Sequence, residues 1–223
     1  MAEICTQSLQ VCGMRVARLD AGGNILTGPG NGYVSKAPVD ITITLNFING
    51  AELQQLQGCG TLNAYFHAPD VVKDINVAGT LTDLDAELLE VLTGETSLIT
   101  EAGQTAGMKF PSVGACGPAV QNGVCVEFFT KRWGACGPPS DGLLYWDWVL
   151  PRAYLHNTAF GLKNDIMPIP VTGYAIGNER VGLGPWGDFP VQISQALGMV
   201  FARPDMPAAQ CGYVSVPSSG SPS

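Results

Sequence analysis

Residues 39–47 read Val-Asp-Ile-Thr-Ile-Thr-Leu-Asn-Phe, apolar at every odd position and polar at every even one. Side chains alternate faces along an extended strand, so this run has one dry face and one wet face. Residues 74–82 repeat the pattern, with Asp74, Asn76, Thr80 and Thr82 on the polar side. Further runs of strand-forming residues lie at 13–19, 61–67, 124–133, 143–150, 169–176 and 198–202. The 28 glycines and 16 prolines are spread among these runs, as turns between short strands require. Asp20-Ala21-Gly22-Gly23-Asn24 is such a turn by composition. The pattern predicts a mostly β chain.

One helix interrupts it, over 84–92. Leu84, Leu88, Val91 and Leu92 form a stripe at i, i+4, i+7 and i+8. Asp83 is placed to cap the first amides, Asp85 and Glu87 suit the positive end of the helix dipole, and Gly94 supplies a left-handed stop. A helix this short is marginal alone. Its stripe must dock on a sheet.

A chain of 223 residues is the size of one domain, expected over 1–213, with a flexible Ser/Pro/Gly tail over 214–223. Segments 49–60 and 178–190 read as loops. Gly-Ala-Cys-Gly-Pro occurs at 114–118 and again at 134–138, two turns of like chemistry around the 124–133 strand. Only 13% of residues are charged, about half the usual ~25%. Much of the surface is therefore neutral, and such surface often meets other protein. The net charge of -8 argues against a basic patch for nucleic acid. The N-terminal Met1–Cys5 is not followed by a signal-peptide pattern, and no apolar run is long enough to span a membrane. With no export signal, the seven cysteines are expected as buried, reduced thiols of a chain made in a cytoplasm.

The chemical motifs are weak. Gly182-Leu183-Gly184-Pro185-Trp186-Gly187 matches GxGxxG in form, but no strand precedes it and Pro185 sits where a helix would open. It reads as a loop. Metal binding wants clustered Cys and His, and His67 and His156, the two histidines, are far apart in the sequence. No GxSxG elbow is present. Glu127, Asp147 and Asp188 lie near aromatic residues, which leaves a paired-carboxylate hydrolase formally open. Leu144, Trp146, Trp148 and Leu150 share one strand face, with Tyr145, Asp147 and Val149 on the other. Exposed, the tryptophans would stack on sugars; buried, they belong to the core or a subunit interface, which this composition favours.

Three stretches go further. Met14-Arg15-Val16-Ala17-Arg18-Leu19-Asp20-Ala21-Gly22-Gly23-Asn24, with Gly28-Pro29 after it, resembles the opening of major tail proteins of actinobacterial (mycobacteriophage-like) long-tailed phages. The helix ending Val91-Leu92-Thr93-Gly94 is similar to their acidic, leucine-rich helix. The order of Val126-Glu127-Phe128-Phe129, then 145–151, then 182–187 with Trp186 is similar too. The cysteine-rich turns depart from the pattern. The resemblance implies two packed antiparallel β-sheets, sandwich- or barrel-like, with one flanking helix. It also implies a structural virion protein with neither catalysis nor a cofactor. Its hexameric rings would stack into a long non-contractile tail tube. The partners would be further copies, the tape measure, terminator and distal tail proteins, and phage DNA passing through without specific binding; no membrane is involved. On this reading the polar face carrying Asp40, Thr42, Thr44, Asn46, Asp74, Asn76 and Thr80 lines the channel, with the outer tube wall as the competing placement. Acidic walls would repel DNA and let it slide. A carbohydrate-binding β-sandwich module is the alternative from another class.

Overall fold

The computed structural model describes residues 6–56, 62–82, 84–94, 97–109, 122–134, 137–160, 168–193, 196–207 and 211–218. The elements in chain order are β1 (Thr6–Arg18), β2 (Gly28–Ser35), β3 (Pro38–Ile48), β4 (Glu52–Leu56), β5 (Leu62–His67), β6 (Val71–Leu81), α1 (Ala86–Thr93), β7 (Ser97–Glu101), β8 (Gln104–Lys109), β9 (Val124–Gly134), β10 (Tyr145–Asn157), β11 (Ile169–Ile176), β12 (Met199–Arg203) and β13 (Gly212–Val216). The fold is mostly β and antiparallel with one helix, as expected. Its two layers are the two ends of one nine-stranded sheet, ordered β13-β2-β1-β9-β10-β11-β6-β3, with β12 attached to β10. The sheet curls until β3 comes back alongside β1.

The pleat decides what the curl encloses. Met14 and Val16 of β1, Val126 and Phe128 of β9, Val171 and Ala175 of β11, and Ile75 and Val77 of β6 all point into one core. Strand β10 changes its neighbour halfway along. Residues 145–149 pair with β12, and residues 152–157 pair with β11. A bulge against β9 marks the change, at Pro151, which has no N–H to give to a ladder.

Helix α1 fills the concave side through Leu88, Leu89, Val91 and Leu92, all buried. The expected start of the helix is corrected. Asp85 is the cap, accepting from the N–H groups of Glu87 and Leu88, and Asp83 falls outside the described residues. Leu84 therefore precedes the helix, stands 52% exposed and does not dock; Leu89 takes the fourth place in the stripe. Gly94 stops the helix in the left-handed region at φ 64°, its N–H returning to Glu90.

Two further expectations change. The segment 49–60 is not all loop: β4 pairs with β5, Glu52 opposite His67 and Leu53 opposite Phe66. Just before it, β3 and β6 pair as far as Ile48 and Val71, and Ala68 N–H donates to Ala51 O across the join. One long two-stranded arm results, and residues 57–61 lie outside the described residues. The tail does not begin at 214, because β13 continues to Val216, whose buried side chain packs with Ala17, Leu19 and Val149. The first Gly-Ala-Cys-Gly-Pro segment lies outside the described residues, as do residues 135–136 of the second. Among the described residues no helix is long and apolar enough to cross a membrane.

Leu88 is fully buried and Leu84 is not, so the two leucines separate docking from mere proximity. Leu88→Ala is expected to cost about 2–5 kcal/mol in denaturant melts, and Leu84→Ala less than about 0.5 kcal/mol.

Candidate functional site

Three surfaces carry possible function. The first is the convex polar face at the β3 end of the sheet. Asp40, Thr42, Thr44 and Asn46 of β3 stand opposite Thr80, Ala78, Asn76 and Asp74 of β6. All seven residues singled out from the alternation are thus brought onto one face, exposed or half-exposed. Asn46 Nδ2 donates to Asp74 Oδ1 at 2.5 Å, and Asn76 Nδ2 donates to Asn46 Oδ1 at 3.2 Å. The face continues across β11 and β10. Tyr174 lies opposite Asn76 and stacks on Tyr154 with ring centroids 5.0 Å apart. The Arg152 guanidinium sits 5.3 Å from the Tyr154 ring. The face holds hydroxyls, amides and carboxylates; Lys73 Nζ lies 3.4 Å from Asp74 Oδ2, His156 stands beside Thr172, and Arg152 is at the margin.

The second surface is apolar. The dry face of β3 outruns the core, so Leu45 is exposed, as are Phe47 and Ile48 beside it. The arm adds Val71, Leu53, Tyr65 and Phe66, and these seven side chains are 49–67% exposed. Where β12 and β11 part on β10, a groove of about 480 Å³ opens, lined by Ile43, Leu45, Val72, Trp148, Leu197 and Met199 among others. Trp148 is therefore half core and half groove wall, its Nε1 donating to Thr130 Oγ1 at 3.0 Å. Trp146 lies under the Arg132 guanidinium, 4.5 Å away. Neither indole is a free platform for a sugar.

The third is a ring of five charged side chains on the side of the sheet opposite the main core. Arg15 of β1 donates from Nε and Nη2 to both oxygens of Glu127 on β9, at 3.1 and 2.5 Å. Its Nη2 also reaches Asp188 at 2.9 Å. Arg203 of β12 meets Asp188 Oδ2 at 2.8 Å and Asp147 Oδ2 of β10 at 2.7 Å. The three acids noted in the sequence are thus neighbours in space. They are not a hydrolase site, because Glu127 and Asp147 are 0% exposed and two arginines hold the acids. What the sequence reading missed is the pair Arg15 and Arg203. The usable signal was an acid on an otherwise apolar strand, Glu127 in Val-Cys-Val-Glu-Phe-Phe and Asp147 in Tyr-Trp-Asp-Trp-Val, which demands a buried partner.

Electrostatics follow from burial. Desolvation, then the charge of Glu127, pushes the Asp147 carboxyl up to about 8. Desolvation also raises Glu127, against the pull of Arg15. Asp188, although partly desolvated, is held below its ordinary value by Arg15 and Arg203. The Cys125 thiol beside the ring is pushed up by burial and by Glu127.

The GxGxxG-like segment is the lid of this ring. A short 3-10 turn at Glu179–Val181 leads into it, capped by Asn178, and Ile193 N–H returns to Gly182 O. Trp186 lays its ring on the Arg15 guanidinium, 3.9 Å from centroid to Cζ. Gly184 has φ 91°, and the Phe189 ring lies 2.7 Å from where a Cβ would stand. A side chain there would lift the lid. Among the described residues no group of three His, Cys, Asp or Glu could hold a metal ion, and Cys12, Cys125 and Cys211 are free; the other four cysteines lie outside them.

No protein-family model matches this sequence, and no curated protein is significantly similar to it.

Removing one member of a buried pair leaves its partner charged and unpaired. Arg15→Met, which keeps the length and loses the charge, is expected to cost about 3–5 kcal/mol in urea melts at neutral pH. The loss should shrink at acid pH, where Glu127 is neutralised, and melts at both pH values check the sign.

Proposed function

We propose that this chain is the subunit of a long non-contractile phage tail tube, assembling into hexameric rings that stack around a channel for the genome. The observation that carries this reading is the uncovered apolar surface of the arm and the groove. Monomeric proteins rarely expose contiguous apolar patches of this kind, and a two-stranded ribbon on its own is marginal in water. A weakly charged subunit with an apolar arm and an apolar groove is suited to burial among copies of itself. The resemblance at Met14–Asn24, the helix ending at Gly94, and the later aromatic landmarks supply the identity of the assembly.

The polar face is then the channel wall. Carboxylates at Asp40 and Asp74 with amides and hydroxyls between them keep a wall hydrated, and Lys73 beside them is paired to Asp74 rather than left to hold phosphates. One observation favours a carbohydrate-binding module instead, the stacked Tyr154–Tyr174 pair on the same face. Saturable glycan binding by a monomer, lost in Tyr174→Ala, would select that reading.

Electron microscopy of the concentrated purified protein is expected to show rings or tubes. A chain that stays monomeric, with no tubes of it in virions, overturns the proposal. Leu53→Asp with Phe66→Asp, facing each other across the arm, should abolish assembly yet leave the melting of the monomer within about 1 kcal/mol. A second expectation concerns the channel. Asp40→Lys with Asp74→Lys should leave tubes intact and slow genome ejection, most at low salt, where screening is weak. Ejection at the normal rate from intact tubes refutes the lumen assignment.

A further inference from the structure

The charged ring contains three carboxylates and two guanidiniums, an odd count in a closed circuit. Arg15 joins Glu127 to Asp188, Arg203 joins Asp188 to Asp147, and Asp147 closes onto Glu127. Arginine does not give up its proton in proteins. With every acid ionised the ring therefore holds a net charge of -1, with two of its carboxylates out of contact with water. The geometry locates the weak point. Neither Asp147 oxygen receives an aligned hydrogen bond among the described residues, since Arg203 Nε is close but out of line. A buried carboxylate without a donor is costly, whereas a carboxylic acid donating to Glu127 is satisfied.

We propose that Asp147 and Glu127 share one proton in the native chain, and that losing it unlatches strand β12 and the 182–190 lid from the sheet. The step balances simply: the Asp147 O–H bond breaks, the proton passes to water or hydroxide, and both carboxylates remain charged in the ring. The groups facing them are Arg15 from β1, the Cys125 thiol from β9, Arg203 from β12 and Asp188 from the lid. Two positive charges cannot then balance three negative ones.

The repulsion is relieved where the structure is weakest. Strands β1 and β9 are paired on both sides, and β10 lies between β9 and β12, whereas among the described residues β12 pairs only with β10. Asp188 already has a third of its side chain in solvent. Release of β12 also moves Met199 and Val200, which line the apolar groove, so the proton controls the width of that groove. An acidity weakened in this way acts in one direction. Asp147 is protonated in the fold up to about pH 8 and ionised in the unfolded chain above about pH 4. Its contribution to stability is thus complete below about pH 4, is lost as pH rises through about 8, and is flat beyond. The inference does not depend on what the chain assembles into.

Amide hydrogen exchange on the intact chain tests it, with intrinsic base catalysis divided out. Protection of the β12 amides should fall about tenfold or more from pH 7 to pH 9.5 while that of β9 and the β10 centre holds. In Asp147→Asn, whose neutral amide donates to Glu127 at any pH, β12 protection should stay flat. A flat wild-type profile, or an equal fall in the variant, overturns the proposal. Infrared difference spectra of the wild type serve if the variant does not fold: a carboxylic-acid C=O band present at pH 7 and gone at pH 9.5 supports the shared proton, and its absence at pH 7 overturns it.

Discussion

The pleat parity of one curled sheet governs this molecule. Every strand that sends Val, Ile or Phe into the core at one position must present the next position to the other side. On the β1–β9–β10 half that other side is covered by β12, the 182–190 lid and β13, so Ala17, Cys125 and Val149 form a second, smaller core there. On the β3–β6 half none of the described residues covers it, and the residues there are Asp, Asn and Thr with Ala78 among them. The bulge at Pro151 lets β10 serve both halves, because Leu150 and Ala153 still reach the same core on either side of it.

Covering the first half brings charge with it. Arg15, Glu127 and Asp147 occupy the covered face of central strands, where an apolar residue would be simpler and is often at least as stable. What the ions add is direction. Glu127 is satisfied by Arg15 through a two-bond fork, and Arg15 lies between Phe129 and Trp186. An apolar patch would accept the lid in several registers. The fork and the stacked indole accept it in one, which fixes Asp188 over Arg203 and so sets β12 on β10.

This explains what was legible from sequence. Strict alternation at 39–47 and 74–82 identified β3, β6 and the seven residues of their wet face, because one side of each strand meets water. Where both faces are covered the period is lost, as in Val-Cys-Val-Glu-Phe-Phe of β9, and only composition marks the strand. Gly-Pro-Gly-Asn-Gly of β2 and Glu-Leu-Gln-Gln-Leu of β4 were missed for a different reason. Their pairing is dictated by partners, since β2 lies between β1 and β13 while β4 depends on β5. The helix was visible, but its cap was expected at Asp83, and the backbone places it at Asp85. The ring was not legible, because its members come from positions 15, 127, 147, 188 and 203, and nothing local links them.

The apolar end of the β3–β6 arm follows from the same parity. Ile41 and Ile43 pack on the core, yet Leu45 and Phe47, on the identical face and in the identical pattern, run past it into solvent. A strand that only needed to finish a monomer would turn polar on both faces beyond the last core contact. Here the dry face continues, and Val72 and the groove meet it. Full burial of a side chain of this size is worth roughly 1.5–3 kcal/mol, so seven of them left half-exposed forgo several kcal/mol that another surface can recover. The alternation that builds the core continues past it, without a change of period, into an apolar surface that the described residues leave uncovered.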